Sequence, residues 1–257
     1  MDIIHLPAFR DNYIWLMHDG RHAIVVDPGD ARPVLDYLDR KALQLAAILV
    51  THHHPDHVGG LDALLARHSV PVFGPFKEHI DGVNQPLVEG DTVRVDALDI
   101  SFDVLDIPAH TAGHIAFVST GTSPRLLFCG DTLFSAGCGR LFEGSAAELA
   151  ASLAKLAALP DDTRVYCTHE YTLSNLAFAR TVEPDNPERD AYAERCTRLR
   201  AADQPTLPST IGLEKAINPF LRSEQTKLHD AIAAHTGVRP ADALACLAAL
   251  RAWKDNF

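Results

Sequence analysis

The chain lacks a basic run. Its 257 residues carry 23 Lys and Arg against 34 Asp and Glu, a formal net charge of −11. Without a stretch of cations able to track a phosphate backbone, a nucleic-acid partner is not expected. Long apolar runs are missing too: no span reaches the roughly 18 apolar residues of a transmembrane helix. The start, Met1-Asp-Ile-Ile-His-Leu-Pro7, has no basic segment followed by an apolar stretch. Neither a signal peptide nor a membrane anchor is therefore expected, and a cytoplasmic location follows by default. Cysteine is sparse: Cys129, Cys138, Cys167, Cys196 and Cys246 are odd in number and never spaced Cys-x-x-Cys. They read as reduced thiols, with Cys129 and Cys167 as small buried hydrophobes inside strand patterns. What remains is a chain 47% hydrophobic, enough for a large core.

What is abundant is histidine, and it is concentrated. Residues 51–57 read Thr-His-His-His-Pro-Asp-His. They follow the apolar run Leu45–Val50, which predicts a buried strand, and precede a helical pattern from Gly60 to His68. The cluster thus lies on a strand-to-helix turn, where an open α/β sheet places its ligands. Neutral imidazole is the commonest protein metal ligand, and carboxylate favours harder divalent ions. Alternation aims His52 and His54 one way and His53 elsewhere. Asp56 and His57, after Pro55, can turn back to the same cavity. Three more strand ends carry such groups: His110, Asp131 and His169. Five His and two Asp match the needs of two ions if one carboxylate bridges them.

Along the chain, strands are expected at 12–17, 22–26, 45–50, 71–73, twice within 87–102, and at 103–107, 115–119, 125–129 and 164–167, the last strand. Helices are expected at 34–38, 60–68 and 145–159, the last capped by Gly144 or Ser145. After Tyr171 strand patterns disappear and helices are expected at 175–181, 188–202, 225–236 and 241–253. This divides the chain into a mixed α/β layered domain, 1–169, and a small all-α domain, 170–257.

The motifs Thr51-His-x-His-x-Asp-His57, His110-Thr-x-Gly-His114, Gly130-Asp-Thr132 and Thr168-His-Glu-Tyr171 resemble those of the metallo-β-lactamase superfamily. The resemblance implies an αβ/βα sandwich with metals at one sheet edge. It implies one ion on His52, His54 and His110, a second on Asp56, His57 and His169, and Asp131 bridging. His114 matches a position that is not a ligand. Phe134–Gly144, Tyr171–Ala179, Pro184-Asp-Asn-Pro187, Asn218–Arg222 and Arg251–Phe257 resemble one branch, glyoxalase II, across essentially the whole chain. That resemblance implies hydrolysis of S-(2-hydroxyacyl)glutathione, S-D-lactoylglutathione foremost, in methylglyoxal detoxification. It implies glutathione held by Arg140, Tyr171, Arg251 and Lys254. Arg140 stands where some members have Lys, and Phe142 where some have Tyr, which removes one hydroxyl contact. Zinc is the first expectation for both ions, with iron or manganese as alternatives. The partner is a small-molecule thioester and the chain is expected to be a monomer.

The chemistry expected is attack by a metal-bridging hydroxide. Coordination brings the pKa of water to about 7. Two divalent ions, two aspartates and one hydroxide leave the core net positive, suited to a developing oxyanion. A thiolate leaves without strong general-acid help, since a free thiol has a pKa of about 8.5. Asp131, touching the nucleophile, is the candidate to take its remaining proton. The cations at 140, 251 and 254 would supply the local positive patch that an acidic chain otherwise lacks. A mononuclear dioxygenase of this fold need not keep Asp56 and His57, and a β-lactamase of the best-known subclass places Cys at position 131.

Overall fold

A computed structural model describes residues 1–257. Six strands form a first sheet in chain order: β1 (Asp2–Ala8), β2 (Asn12–His18), β3 (His22–Val26), β4 (Gln44–Leu49), β5 (Val72–Pro75) and β6 (Gln85–Leu87). The second contains β7 (Thr92–Val95), β8 (Ile100–Asp106), β9 (Ile115–Thr120), β10 (Leu126–Phe128), β13 (Arg164–Tyr166) and β14 (Ser209–Thr210). Its order is β14-β13-β10-β9-β8-β7. Between β10 and β13 lie a small hairpin, β11 (Leu133–Phe134) and β12 (Gly137–Cys138), and a helix.

Period-two alternation explains the layering. On β2, Tyr13, Trp15 and Met17 join the large core that includes the second sheet. Their neighbours Ile14 and Leu16 join a separate core on the other face. Strand β3 divides likewise, Ile24 and Val26 against Ala23 and Val25. A strand buried on both faces reads as a continuous apolar run, and the sheet must be covered on both sides. Helix α1 (Ala31–Lys41) covers the outer face with Val34, Tyr37 and Leu38. Its N-cap is Asp30, whose carboxylate accepts from Arg32 N. Helix α4 (Ala146–Ala157) packs Leu149, Leu153 and Leu156 into the large core. Ser145 and Glu148 form a reciprocal capping box at its start, a motif in which the cap alone stabilises by about 1 kcal/mol.

Several expectations need correction. The helix expected at 60–68 is shorter, α3 (Leu61–Leu65), and an unexpected helical turn, α2 (Pro55–Val58), precedes it across Gly59 and Gly60. Strand β1 was not expected; it is an edge strand with a Pro at position 7, tolerated only where ladder bonds are not all needed. The strand at 164–166 is not the last. Strand β14 pairs antiparallel with β13 through Arg164↔Thr210 and Val165↔Ser209. Two residues with no apolar pattern cannot announce a strand; the waiting edge of β13 makes them one. Otherwise the C-terminal segment is helical: α5 (Thr172–Val182), α6 (Pro187–Ala201), α7 (Ile211–Ile217), α8 (Thr226–Thr236) and α9 (Ala243–Asp255). Helix α7 was also unexpected; seven residues hold too few turns to show a period. No helix is long and apolar enough to cross a membrane.

Main-chain bonds join the sheets at one rim. Tyr13 N donates to Thr168 O at 2.6 Å, Glu170 N to Asp11 O at 2.9 Å, and Ile115 N to Thr51 O at 3.0 Å. The ends of β4, β8, β10 and β13 all open onto this rim.

Candidate metal centre

The seven expected ligands converge there. His52 and His57 are fully buried, and His110, Asp131 and His169 nearly so. Their ring tautomers follow from what their outer nitrogens face. Thr51 Oγ1 donates to Asp27 Oδ2 (2.8 Å), so it accepts from His52 Nδ1 at 3.0 Å. His110 Nδ1 donates to the Arg140 carbonyl at 2.9 Å. The inner nitrogens, His52 Nε2 and His110 Nε2, therefore carry lone pairs. Both face His54 Nδ1, at 3.2 and 3.0 Å. Burial lowers the pKa of all three rings, so they are neutral. Three imidazole nitrogens converging on one point offer a ligand set for a single cation.

A second group adjoins the first. His57 Nε2 lies 3.6 Å from Asp56 Oδ2 and 3.4 Å from Asp131 Oδ1. His169 Nε2 lies 3.4 Å from Asp56 Oδ2 and 3.3 Å from Asp131 Oδ2. Asp131 Oδ2 is also 3.4 Å from His110 Nε2, so this carboxylate touches both groups. His57 Nε2 and Asp131 Oδ1 are buried without any hydrogen-bond partner. Buried orphans of this kind are costly, and a divalent ion satisfies both. Burial works against charge on His57, yet Asp131 and Asp27 push its pKa up to about 10. His169 rises to about 11 against the same opposition, through Asp131, Asp56 and Asp11. Burial would raise Asp131, but the facing His57 and His169 hold it well below the carboxylate range. The same carboxylates that favour a positive charge on these rings would favour divalent cations between them.

Three residues behind the ligands were missed by sequence reasoning. Asp27 accepts from Thr51 N and Oγ1, both at 2.8 Å, and its Oδ2 faces His57 Nδ1 at 3.1 Å. Asp11 Oδ1 faces His169 Nδ1 at 2.8 Å, and Asn12 Nδ2 donates to Asp56 Oδ2 at 2.9 Å. Such partners fix ring orientation and raise ligand basicity. Asp27 closes a strand at φ +50, an uncommon conformation for a non-glycine residue. The Asp-Pro-Gly sequence there marks a turn but not its purpose. His114 behaves as the sequence suggests for a non-ligand: Asp131 N donates to its Nε2 at 3.2 Å, and its Nδ1 donates to Ile115 O at 3.0 Å. His53 turns away toward Glu78 and Glu143, at 3.0 and 3.3 Å.

One cavity of about 530 Å³ joins this centre to residues of the C-terminal segment. His54, Asp56, His110, Asp131 and His169 line it on one side; Arg140, Tyr171, Arg251 and Lys254 line it on the other. Tyr171 stacks parallel on the His169 ring, centroids 4.7 Å apart. Phe142, 63% exposed, stands edge-on to His54 and His110. Of the three cations, Arg140 is exposed and Lys254 half-buried over the Phe178 and Phe257 rings. Arg251 is buried at 4% exposure; its Nη1 donates to Cys138 O at 2.8 Å and its Nη2 to Asp255 Oδ1 at 3.0 Å. Its Nε is buried without a partner. Asp255 also lies 3.6 Å from Arg140 Nε and offsets one of the three charges.

Comparison with known proteins matches this architecture. Residues 8–169 match the family model of the metallo-beta-lactamase superfamily, and residues 170–257 that of the hydroxyacylglutathione hydrolase C-terminus. A hydroxyacylglutathione hydrolase of Chromohalobacter salexigens is 54% identical over 259 residues, covering 100% of both chains. The chain belongs to the hydroxyacylglutathione hydrolase family. Another member, from Cupriavidus taiwanensis, is 54% identical over 98% of this chain and 97% of its own. Among solved structures, ETHE1 from Myxococcus xanthus superposes with a TM-score of 0.66 at 26% identity, covering 99% of this chain and all of that one. The di-iron-bound form of TTHA1623 superposes with a TM-score of 0.60 at 26% identity, over 86% of this chain and all of that one. The His and Asp cluster is a site for divalent metal ions. The lone pairs, orphaned atoms and hard and borderline donors described above fit them.

Proposed function

We propose that this chain hydrolyses S-(2-hydroxyacyl)glutathione, with S-D-lactoylglutathione as the expected substrate, to glutathione and a 2-hydroxy acid. In the cell this would serve methylglyoxal detoxification. The observation that carries the reading is the shared cavity: a cluster of His and Asp side chains suited to metal and a cationic patch open onto the same 530 Å³. A thioester carbonyl needs the first and the anionic glutathionyl group the second. The full-length identity to proteins named hydroxyacylglutathione hydrolase supports it.

On this reading His52, His54 and His110 would hold one ion and Asp56, His57 and His169 another, with Asp131 the carboxylate offered to both. The mutual distances within each triplet support the division. Three imidazoles favour zinc in the first position; the carboxylate-richer second also accepts iron or manganese. When bound, the ions supply water activated at neutral pH and polarise the carbonyl. The protein contributes the rest. Asp27 and Asp11 hold the His57 and His169 rings with Nε2 inward. Asp131, its main-chain N–H anchored on His114, would be the group placed to take a proton from the attacking water. Lys254 and Arg140 draw the glutathionyl carboxylates to the far end of the cavity, while Tyr171 flanks the thioester. Arg251 acts partly through the Cys138 carbonyl it grips. Residues 1–169 thus form the catalytic part and 170–257 the part that contributes glutathione contacts.

The deciding experiment compares hydrolysis of S-D-lactoylglutathione, a lactone, a β-lactam and glutathione persulfide turnover on metal-loaded protein. The thioester should have the highest kcat/KM. Preference for any of the others overturns the substrate reading. Elemental analysis should give two divalent ions per chain; one or none would remove the binuclear reading.

A further inference from the structure

The side chain that leaves the cluster, His53, does not end in solvent. It lies between two metal-facing neighbours, His52 and His54, and each of its ring nitrogens faces a carboxylate. Nδ1 is 3.0 Å from Glu78 Oε2 and Nε2 is 3.3 Å from Glu143 Oε1. Glu78 comes from the segment joining β5 to β6, Glu143 from that joining β12 to α4. The two carboxylates spend their other oxygens on a third segment. Glu78 Oε1 accepts from Thr111 Oγ1 and, at 3.1 Å, from Gly113 N. Glu143 Oε2 accepts from Ala112 N at 2.8 Å. Every residue between His110 and His114 is thus held by one of two glutamates that both face His53.

This arrangement costs something to maintain. The Glu78 side chain is only 4% exposed, and its Oε2 has no hydrogen-bond donor of its own. A buried carboxylate is unfavourable unless partnered, and His53 is what it faces. The approach also demands a glycine: a Cβ on Gly113 would lie 2.5 Å from Glu78 Cγ. Behind the loop, Gly144 N donates to Ala109 O at 3.0 Å, and His110 Nδ1 donates to Arg140 O at 2.9 Å. The 139–144 segment therefore grips the same loop twice more.

We propose that His53, Glu78 and Glu143 form a positioning clamp that locks the 110–114 loop against the 52–57 loop. It sets the spacing of His110 against His52 and His54 without touching substrate. The inference rests on the reading of those three rings as ligands of one ion. In the clamp the contacts that do the holding lie outside the three rings, and the triad of imidazoles gains its geometry from them. Outer partners that orient ligands control metal retention and turnover together, while remote binding of the substrate is left alone.

The test is Glu78→Gln, which keeps the shape and the acceptor for Thr111 and Gly113 but removes the charge facing His53. Expected outcomes are a turnover about tenfold lower, a KM within about twofold of the parent, and loss of one of the two ions to a chelator about tenfold faster. Glu143→Gln, at an exposed site, should shift the same readouts in the same direction by less. A His53→Asn/Glu78→Gln pair should be no worse than the more severe single change, since both break one contact. A lowered melting temperature with parental turnover and chelator resistance at 25 °C would reduce the triad to a structural feature and overturn the proposal. So would a raised KM at unchanged turnover, or additive losses in the pair. Should Glu78→Gln not fold, Glu143→Gln decides alone, and parental chelator resistance there overturns the clamp. Chelator resistance needs no substrate, so a failed thioesterase assay of the parent protein would count against the proposed function and not against the clamp.

Discussion

The two walls of the cavity are built by different means. The metal wall comes from strand ends whose side chains are buried and fixed from behind: His57 by Asp27, His169 by Asp11, Asp56 by Asn12. The opposite wall comes from α9 and the segment after β12, and its cations are mostly exposed or resting on aromatic rings. Rigidity is where bonds are made and broken, because geometry there sets the barrier. On the proposed function the opposite wall tolerates looser groups, because it would bind a part of the substrate that does not react. Arg251 belongs to both: it lines the binding wall but is bonded to the Cys138 carbonyl.

The sharpest way to break this contrast is at Asp131. Asp131→Ala removes the carboxylate that touches both ligand groups. Activity should fall by more than about 100-fold, beyond what loss of an outer partner costs, and metal content should drop with it. Parental activity or full metal content, by assay and elemental analysis, would sink the bridging role. On the other wall Lys254→Ala should raise KM about tenfold, the worth of one charge-assisted contact, with turnover little changed. A fall in turnover at constant KM would erase the distinction between the walls. Arg251→Ala should raise KM as well but also lower the melting temperature, since it leaves the Cys138 carbonyl without its donor.

The same contrast explains what was legible in the sequence. The proposed metal ligands sit in short motifs because a strand end and its turn place adjacent residues together, so His52, His54, Asp56 and His57 announce one another. Apolar runs located most strands of both sheets, because burial on both faces leaves a composition signal. Asp11, Asn12 and Asp27 were not legible. Each is a common turn residue, and only the folding of β2 and β3 beside β4 and β13 brings them behind the rings. Strand β14 was hidden for the same reason: its partner edge, not its own residues, makes it a strand. The resemblance to glyoxalase II pointed to Arg251 and Lys254, but nothing in spacing distinguishes a buried Arg251 from a solvated helix-end cation.

A smaller effect lies at Phe142, which stands edge-on to the rings of the metal wall and opens to the cavity mouth. Phe142→Tyr adds a hydroxyl where some relatives carry one. If that position meets glutathione, KM should fall about threefold, the net worth of one hydrogen bond. An unchanged KM with altered turnover would instead assign Phe142 to the reacting end.

The smallest effect tests the seam between the walls. Glu214 on α7 is fully buried; its Oε2 accepts from Ala136 N at 2.8 Å and Asn218 Nδ2 at 3.0 Å, and Oε1 has no partner. Asn218 also donates to Phe134 O and Gly137 O, so the pair holds the β11–β12 hairpin that carries Phe134 and Cys138 toward the cavity. Burial raises the Glu214 pKa above its ordinary value of 4.5. The folded chain therefore keeps this proton at pH values where the unfolded chain has lost it. Stability from the group is complete below about 4.5 and declines as pH rises through the folded value. Glu214→Gln retains an oxygen acceptor for Ala136 and cannot ionise. Its melting temperature relative to the parent should rise with pH, reaching a gain of about 1–2 °C at pH 8 and none at pH 4. A gap that stays constant across that range would show that Glu214 binds its proton equally in the folded and unfolded chains, and would overturn the effect of burial on it.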